Sequence, residues 1–119
     1  MNKIFIIDDI PEILDFIRMR LISLGHEDIL YFNDPLDALK RIRDNVIPDI
    51  VISDFQMPGM SGPELVDTIK SINPELFAVI MTADENNADL TSYPVILKHN
   101  LLALCDELSE FIKSEGVTV

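Results

Sequence analysis

Five short runs rich in Ile, Val and Phe recur along this 119-residue chain, at residues 3–7, 28–32, 49–53, 77–81 and 95–97. Three of them are apolar at nearly every position instead of alternating with polar residues. A strand of that kind has both faces covered, which marks parallel strands sandwiched between helices. Parallel neighbours need crossovers, and crossovers wind right-handed. The pattern predicts one doubly wound α/β sandwich whose ligands bind outside the carboxyl ends of the strands.

The crossover helices are legible between the runs. Ile10, Ile13, Leu14, Ile17, Leu21 and Leu24 fall at three- and four-residue spacing, with Pro11 suited to a first turn and Gly25 to a left-handed stop. A helix is therefore expected over residues 11–24. Asp34-Pro35 opens a second, running to about Asn45, with Leu36, Leu39 and Ile42 inward and Lys40, Arg41 and Arg43 largely outward. Ser61 and Glu64 have capping-box spacing, so a third helix is expected from there to Ile72, burying Leu65, Ile69 and Ile72 before Asn73-Pro74 ends it. The last is expected over residues 100–114, carrying Leu101, Leu104, Cys105, Leu108, Phe111 and Ile112 on one stripe, with residues 115–119 frayed. Residues 83–94 break the rhythm, because a full crossover with its helix needs about 10 to 12 residues at minimum. They predict a short or degenerate fourth helix, with Ala88, Leu90 and Tyr93 the candidates to pack on the sheet.

Composition removes several classes of function. Nine basic against 21 acidic residues give a formal charge of −12, which repels polyanions and argues against nucleic acid as a partner. With 48% hydrophobic residues the chain can fill one core, so a single domain over residues 1–119 with no output domain is expected. The apolar runs are far too short to span a bilayer and no secretory signal is evident, which predicts a soluble, cytoplasmic protein with no membrane partner. Cys105, the one cysteine, reads as a buried inert thiol. His26 and His99 read as loop histidines, and without a second ligand at metal spacing neither is assigned to zinc.

The chemistry gathers at the strand ends. Asp8 and Asp9 follow the first run, Asp54 the third, Thr82 the fourth and Lys98 the last, so the fold brings them to one edge of the sheet. Each has a plainer reading when taken alone. Asp9 could cap the first helix with Glu12, Asp54 could be a loop acid before the Met57-Pro58-Gly59 turn, Thr82 a strand residue and Lys98 a surface lysine. Together they describe a site for a divalent cation and a phosphoryl group. Carboxylates crowded at one edge repel one another unless a cation neutralises them, and oxygen ligands suit magnesium.

The acid pair, the segment Asp54-Phe55-Gln56-Met57-Pro58-Gly59-Met60-Ser61-Gly62, Thr82-Ala83 and Lys98, in this order, resemble the receiver domain of two-component response regulators across essentially the whole chain. The resemblance implies a flavodoxin-like five-stranded parallel sheet in the order 2-1-3-4-5. It implies that Asp54 accepts a phosphoryl group from a histidine kinase or histidine phosphotransfer protein, with Thr82 and Lys98 completing the catalytic set. It further implies Mg2+ on Asp9, Asp54 and the backbone carbonyl of Gln56, with Asp8 acting mostly through coordinated water. Output would pass to a downstream protein target that the sequence does not name, and a monomer is expected.

Two departures bear on that reading. The family usually follows its lysine with a cis proline, whereas His99 stands here, and a cis non-proline bond costs about 2.5 to 4 kcal/mol. Either that bond is strained or Lys98 is held differently. The aromatic residue often found three positions before the lysine is Val95, and Tyr93 is the nearest substitute. A flavodoxin-like cofactor binder fits poorly, since Asp8 and Asp9 would repel the phosphate. A haloacid-dehalogenase-like phosphatase wants a second acid two residues after its nucleophile, where Gln56 stands. The competing alternative is a receiver-like binding module that works without phosphorylation.

Overall fold

The computed structural model describes residues 3–116. Strands β1 (Ile4–Ile7), β2 (Ile29–Phe32), β3 (Ile50–Asp54), β4 (Phe77–Thr82) and β5 (Val95–Leu97) form one parallel sheet in the order β2-β1-β3-β4-β5. Helices α1 (Pro11–Ser23) and α4 (Leu101–Gly116) pack on one face, where Leu14, Ile17, Leu21, Leu104, Cys105 and Leu108 meet Ile6, Ile52 and Met81. Helices α2 (Pro35–Arg43) and α3 (Gly62–Ile72) cover the other, where Ala38, Ile42, Leu65, Val66 and Ile69 meet Phe5, Val51 and Ile80. Two cores on one sheet explain why the central strands are apolar at successive positions.

Local chemistry sets the helix limits. Asp34 accepts from the Leu36 amide at 2.9 Å and Pro35 fills the first turn of α2. Ser61 and Glu64 form the predicted reciprocal box: the Glu64 amide in the first turn of α3 donates to Ser61 Oγ at 3.2 Å and the amide of Ser61, the N-cap, donates to Glu64 Oε1 at 3.1 Å. Gly25 stops α1 with φ +96°, a conformation open to glycine at little cost. The N-cap of α1 is Ile10 with no side-chain cap, so the capping role available to Asp9 is not realised and its carboxylate is left for other work.

Three expectations are corrected. Leu36 is exposed, because the buried stripe of α2 runs through Pro35, Ala38 and Ile42 and leaves Leu36 a residue out of step. Ile72 is half exposed at the last position of α3, where the chain leaves the helix through Asn73-Pro74, and Val66 is buried instead. Between β4 and β5 the degenerate fourth helix is a 3-10 turn over Glu85–Leu90. Its inward residue is Asn87, while Ala88 and Leu90 point to water. A buried hydroxyl beneath the turn, that of Thr82, demands a polar partner more strongly than the sheet demands a methyl group. At the end of the chain, α4 continues through Gly116, beyond the point where fraying was expected, and residues 117–119 lie outside the described residues.

Candidate functional site

Parallel topology leaves the last residues of β1, β3, β4 and β5 on one rim, and the acid pair, Asp54, Thr82 and Lys98 all stand there. The backbone ties the rim together. The Lys98 amide donates to the Thr82 carbonyl at 2.8 Å, the Phe55 amide to the Met81 carbonyl at 2.8 Å, and the Asp8 amide to the Phe32 carbonyl at 3.1 Å. The loop after Asp54 folds back so closely that a Cβ on Gly62 would lie 2.1 Å from the Asp54 carbonyl oxygen. Only glycine fits there, and the Gly62 amide donates to the Phe55 carbonyl at 2.8 Å.

The charges sit close and nearly dry. Lys98 Nζ lies 2.7 Å from Asp8 Oδ2 and 3.3 Å from Asp54 Oδ1, with the Asp8 side chain fully buried and that of Lys98 7% exposed. The other Asp8 oxygen accepts from the Ile10 amide at 3.0 Å. Asp8, Asp9 and Asp54 each bring a carboxylate oxygen within 4.8 Å of the others. Three acids thus share one ammonium. Burial pushes the Asp54 carboxyl up to about 6, the Lys98 ammonium pulling the other way and the neighbouring Asp8 adding to the rise.

Asp9, Asp54, Gln56, Thr82 and Lys98 line one open cavity of about 290 Å³, together with Ile10, Ala83, Asp84 and Asn87. Asp8 lies behind that lining, bonded to Lys98. The donor set suits a hard divalent cation: clustered carboxylates with water access, no thiolate or imidazole, and an excess of negative charge. The Lys98–His99 bond is trans, and Lys98 still reaches both Asp8 and Asp54. Tyr93 does not enter the cavity. Its hydroxyl donates to Asp67 on α3, and Lys70 lies 5.7 Å from its ring centroid.

Sequence reasoning missed Asn87. It is 8% exposed, and its side-chain amide donates to Thr82 Oγ1 at 2.9 Å. The only available signal was an amide five residues after Thr82 within a polar stretch, and nothing in the spacing separated it from Asn86.

Residues 4–95 match the family described as the response regulator receiver domain. The chemotaxis protein CheY1 of Helicobacter pylori strain J99 is 27% identical over 90 residues, which cover 74% of this chain and 73% of that protein. The response regulator TrrA of Thermotoga maritima, in a crystal structure with magnesium and beryllium fluoride, superposes with a TM-score of 0.77 at 29% identity, covering 97% of this chain and 99% of that one. The chemotaxis protein CheY4 of Vibrio cholerae shares the fold, with a TM-score of 0.73 at 22% identity over 92% of this chain and 98% of that one.

Proposed function

The chain belongs to the response regulator receiver domain family, and from that premise we propose that it is a working phosphoacceptor in which Asp54 takes a phosphoryl group from a histidine kinase or histidine phosphotransfer protein. The observation that supports this most directly is Lys98 Nζ, held between Asp8 and Asp54 in the lining of a cavity that Thr82 also lines. A lysine locked in that position presents a cation to an anion seated beside Asp54.

A carboxylate oxygen of Asp54 attacks phosphorus in line as the phosphorus–nitrogen bond of the phosphohistidine breaks, and the departing imidazole keeps the bonding electrons. No general base is needed, since the nucleophile carries no proton in its reactive form. Lys98 neutralises charge on one phosphoryl oxygen, and Thr82 donates its hydroxyl to another. Phe55 holds Asp54 for attack, its amide donating to Asp54 Oδ1 at 3.0 Å. A magnesium ion, which Asp9, Asp54 and the Gln56 carbonyl would hold with Asp8 behind them, supplies further charge neutralisation on the phosphoryl oxygens.

Receiver chains of this kind are signalling proteins and not enzymes with a separate substrate. No described helix is long and apolar enough to cross a membrane. A cytoplasmic setting, a monomeric state and a protein target for the phosphorylated form belong to the same proposal.

The test is intact mass after incubation with magnesium and acetyl phosphate, with Asp54→Asn as control. One added phosphoryl group, absent from the control, is the expected result. A short-lived acyl phosphate is covered by titrating the chain with beryllofluoride and magnesium and reading the non-covalent complex by NMR, which reports binding without turnover. Failure of both supports a module that binds its partner without phosphorylation.

A further inference from the structure

The Thr82 hydroxyl is more fully engaged than its assigned task requires. A threonine oxygen has one hydrogen to give and two lone pairs to fill. Here the Asp84 amide donates to it at 3.2 Å and the Asn87 side-chain amide at 2.9 Å, so both lone pairs are taken. The hydrogen is left with the Asp84 carbonyl at 3.4 Å, the longest bond of the three. With the hydrogen directed there, the third partner has to be a donor, which an amide NH2 is and an apolar side chain is not.

Asn87 is built for this position. It is the one buried residue of the 3-10 turn, its backbone amide donates to the Asp84 carbonyl at 3.0 Å, and Asp84 caps the turn by accepting from the Asn86 amide at 2.9 Å. It lines the same cavity as Thr82, Asp54 and Lys98.

We infer that Asn87 is a positioning residue that makes Thr82 a committed hydrogen-bond donor to the phosphoryl group, an inference that rests on the phosphoacceptor reading. By filling a lone pair, Asn87 fixes the rotation of the hydroxyl and leaves its hydrogen the only valence free to exchange partners. An oxyanion in the cavity takes that hydrogen from the Asp84 carbonyl, which stands at the start of the turn. The turn is thereby wired to the site through Thr82: one bond, to Asp84, is released on phosphorylation, and another, from Asn87, is kept.

The test is a double-mutant cycle on the rate of phosphorylation by acetyl phosphate with magnesium, read by intact mass. Asn87→Leu keeps the side-chain volume without the amide, and Asn87→Ala removes both. If the amide acts through Thr82, each single variant slows the reaction about tenfold, the scale of one well-placed hydrogen bond. Thr82→Ala slows it at least as much, and adding Asn87→Leu to Thr82→Ala slows it no further. Losses that multiply in the double variant overturn the inference, and so does Asn87→Leu at the wild-type rate, which would assign Asn87 to packing. On the chain without substitution at 87, the side-chain amide protons of Asn87 should shift in NMR spectra on addition of magnesium and beryllofluoride. Thr82→Ala should abolish that shift, and its persistence overturns the inference even if the variants at 87 do not fold. A wild-type chain that takes neither phosphate nor beryllofluoride fails the phosphoacceptor reading itself, and the inference falls with it.

Discussion

Lys98 Nζ sits 2.7 Å from a carboxylate oxygen of Asp8, an acid whose side chain has no exposure to water. A charge in that position is stable only with its partner, because desolvation is compensated by the short contact and by the Ile10 amide on the other oxygen. Removing the ammonium alone should therefore cost more than removing both charges. Lys98→Met is expected to lose about 3 to 5 kcal/mol in denaturant unfolding without divalent cations. Lys98→Met combined with Asp8→Asn should unfold at higher denaturant than Lys98→Met alone. A double variant weaker than the single one would show that the two side chains are not coupled.

Gly62 makes a second sharp prediction. A methyl group there would lie 2.1 Å from the Asp54 carbonyl oxygen and 3.1 Å from Ser53 Oγ, and backbone cannot give way as a flexible side chain can. Gly62→Ala should destabilise the fold by about 1 to 3 kcal/mol or more through overpacking. Because the displaced atom belongs to Asp54, uptake of phosphate should fall further than thermal stability alone explains. Unfolding and intact-mass measurements on the same preparation check both, and an Ala variant as reactive as the parent would sink the idea.

The parallel sandwich and the rim were legible in the sequence because they depend on features that act locally and survive averaging: Ile- and Val-rich runs, helical spacing, the Ser61–Glu64 box and the order of Asp9, Asp54, Thr82 and Lys98, whereas the strand order follows from the family resemblance alone. Side-chain facing was less so. Leu36 and Ile72 follow apolar spacing, yet α2 is rotated onto Ala38 and α3 ends at Ile72, and both outcomes are settled by the sheet each helix packs on. Asn87 was invisible for a different reason. Its burial answers the hydrogen-bonding needs of one hydroxyl five residues away, a need that appears only once β4 and the turn are in place. The engagement of Tyr93 with Asp67 likewise required knowing that the shortened turn leaves α3 within reach.

Asp54 ties stability to pH in a direction opposite to that of an ordinary salt-bridged acid. Its carboxyl is raised from 3.8 to about 6, chiefly by burial, so the folded state prefers the protonated form. Stability from this group is fully present below pH 3.8 and is lost as pH rises through about 6. Asp54→Asn is neutral throughout and lacks that loss. Without divalent cations, the melting temperature of Asp54→Asn relative to wild type should therefore climb between those two pH values and level off above them. Magnesium should offset most of that loss above pH 6, because the ionised carboxylates of Asp9 and Asp54 are the form that binds it, and a ligand at about 100 times its Kd adds about 2.7 kcal/mol. Asp9→Asn should weaken that stabilisation and shrink the pH step of Asp54 without abolishing it, because burial is the largest cause of the raised carboxyl and a contact with Asp9 a lesser one. Thermal melts at a series of pH values, with EDTA and with magnesium, separate the two effects. A wild-type chain that gains stability on going from pH 4 to 7 relative to Asp54→Asn, with EDTA present, would contradict the electrostatic account of the site.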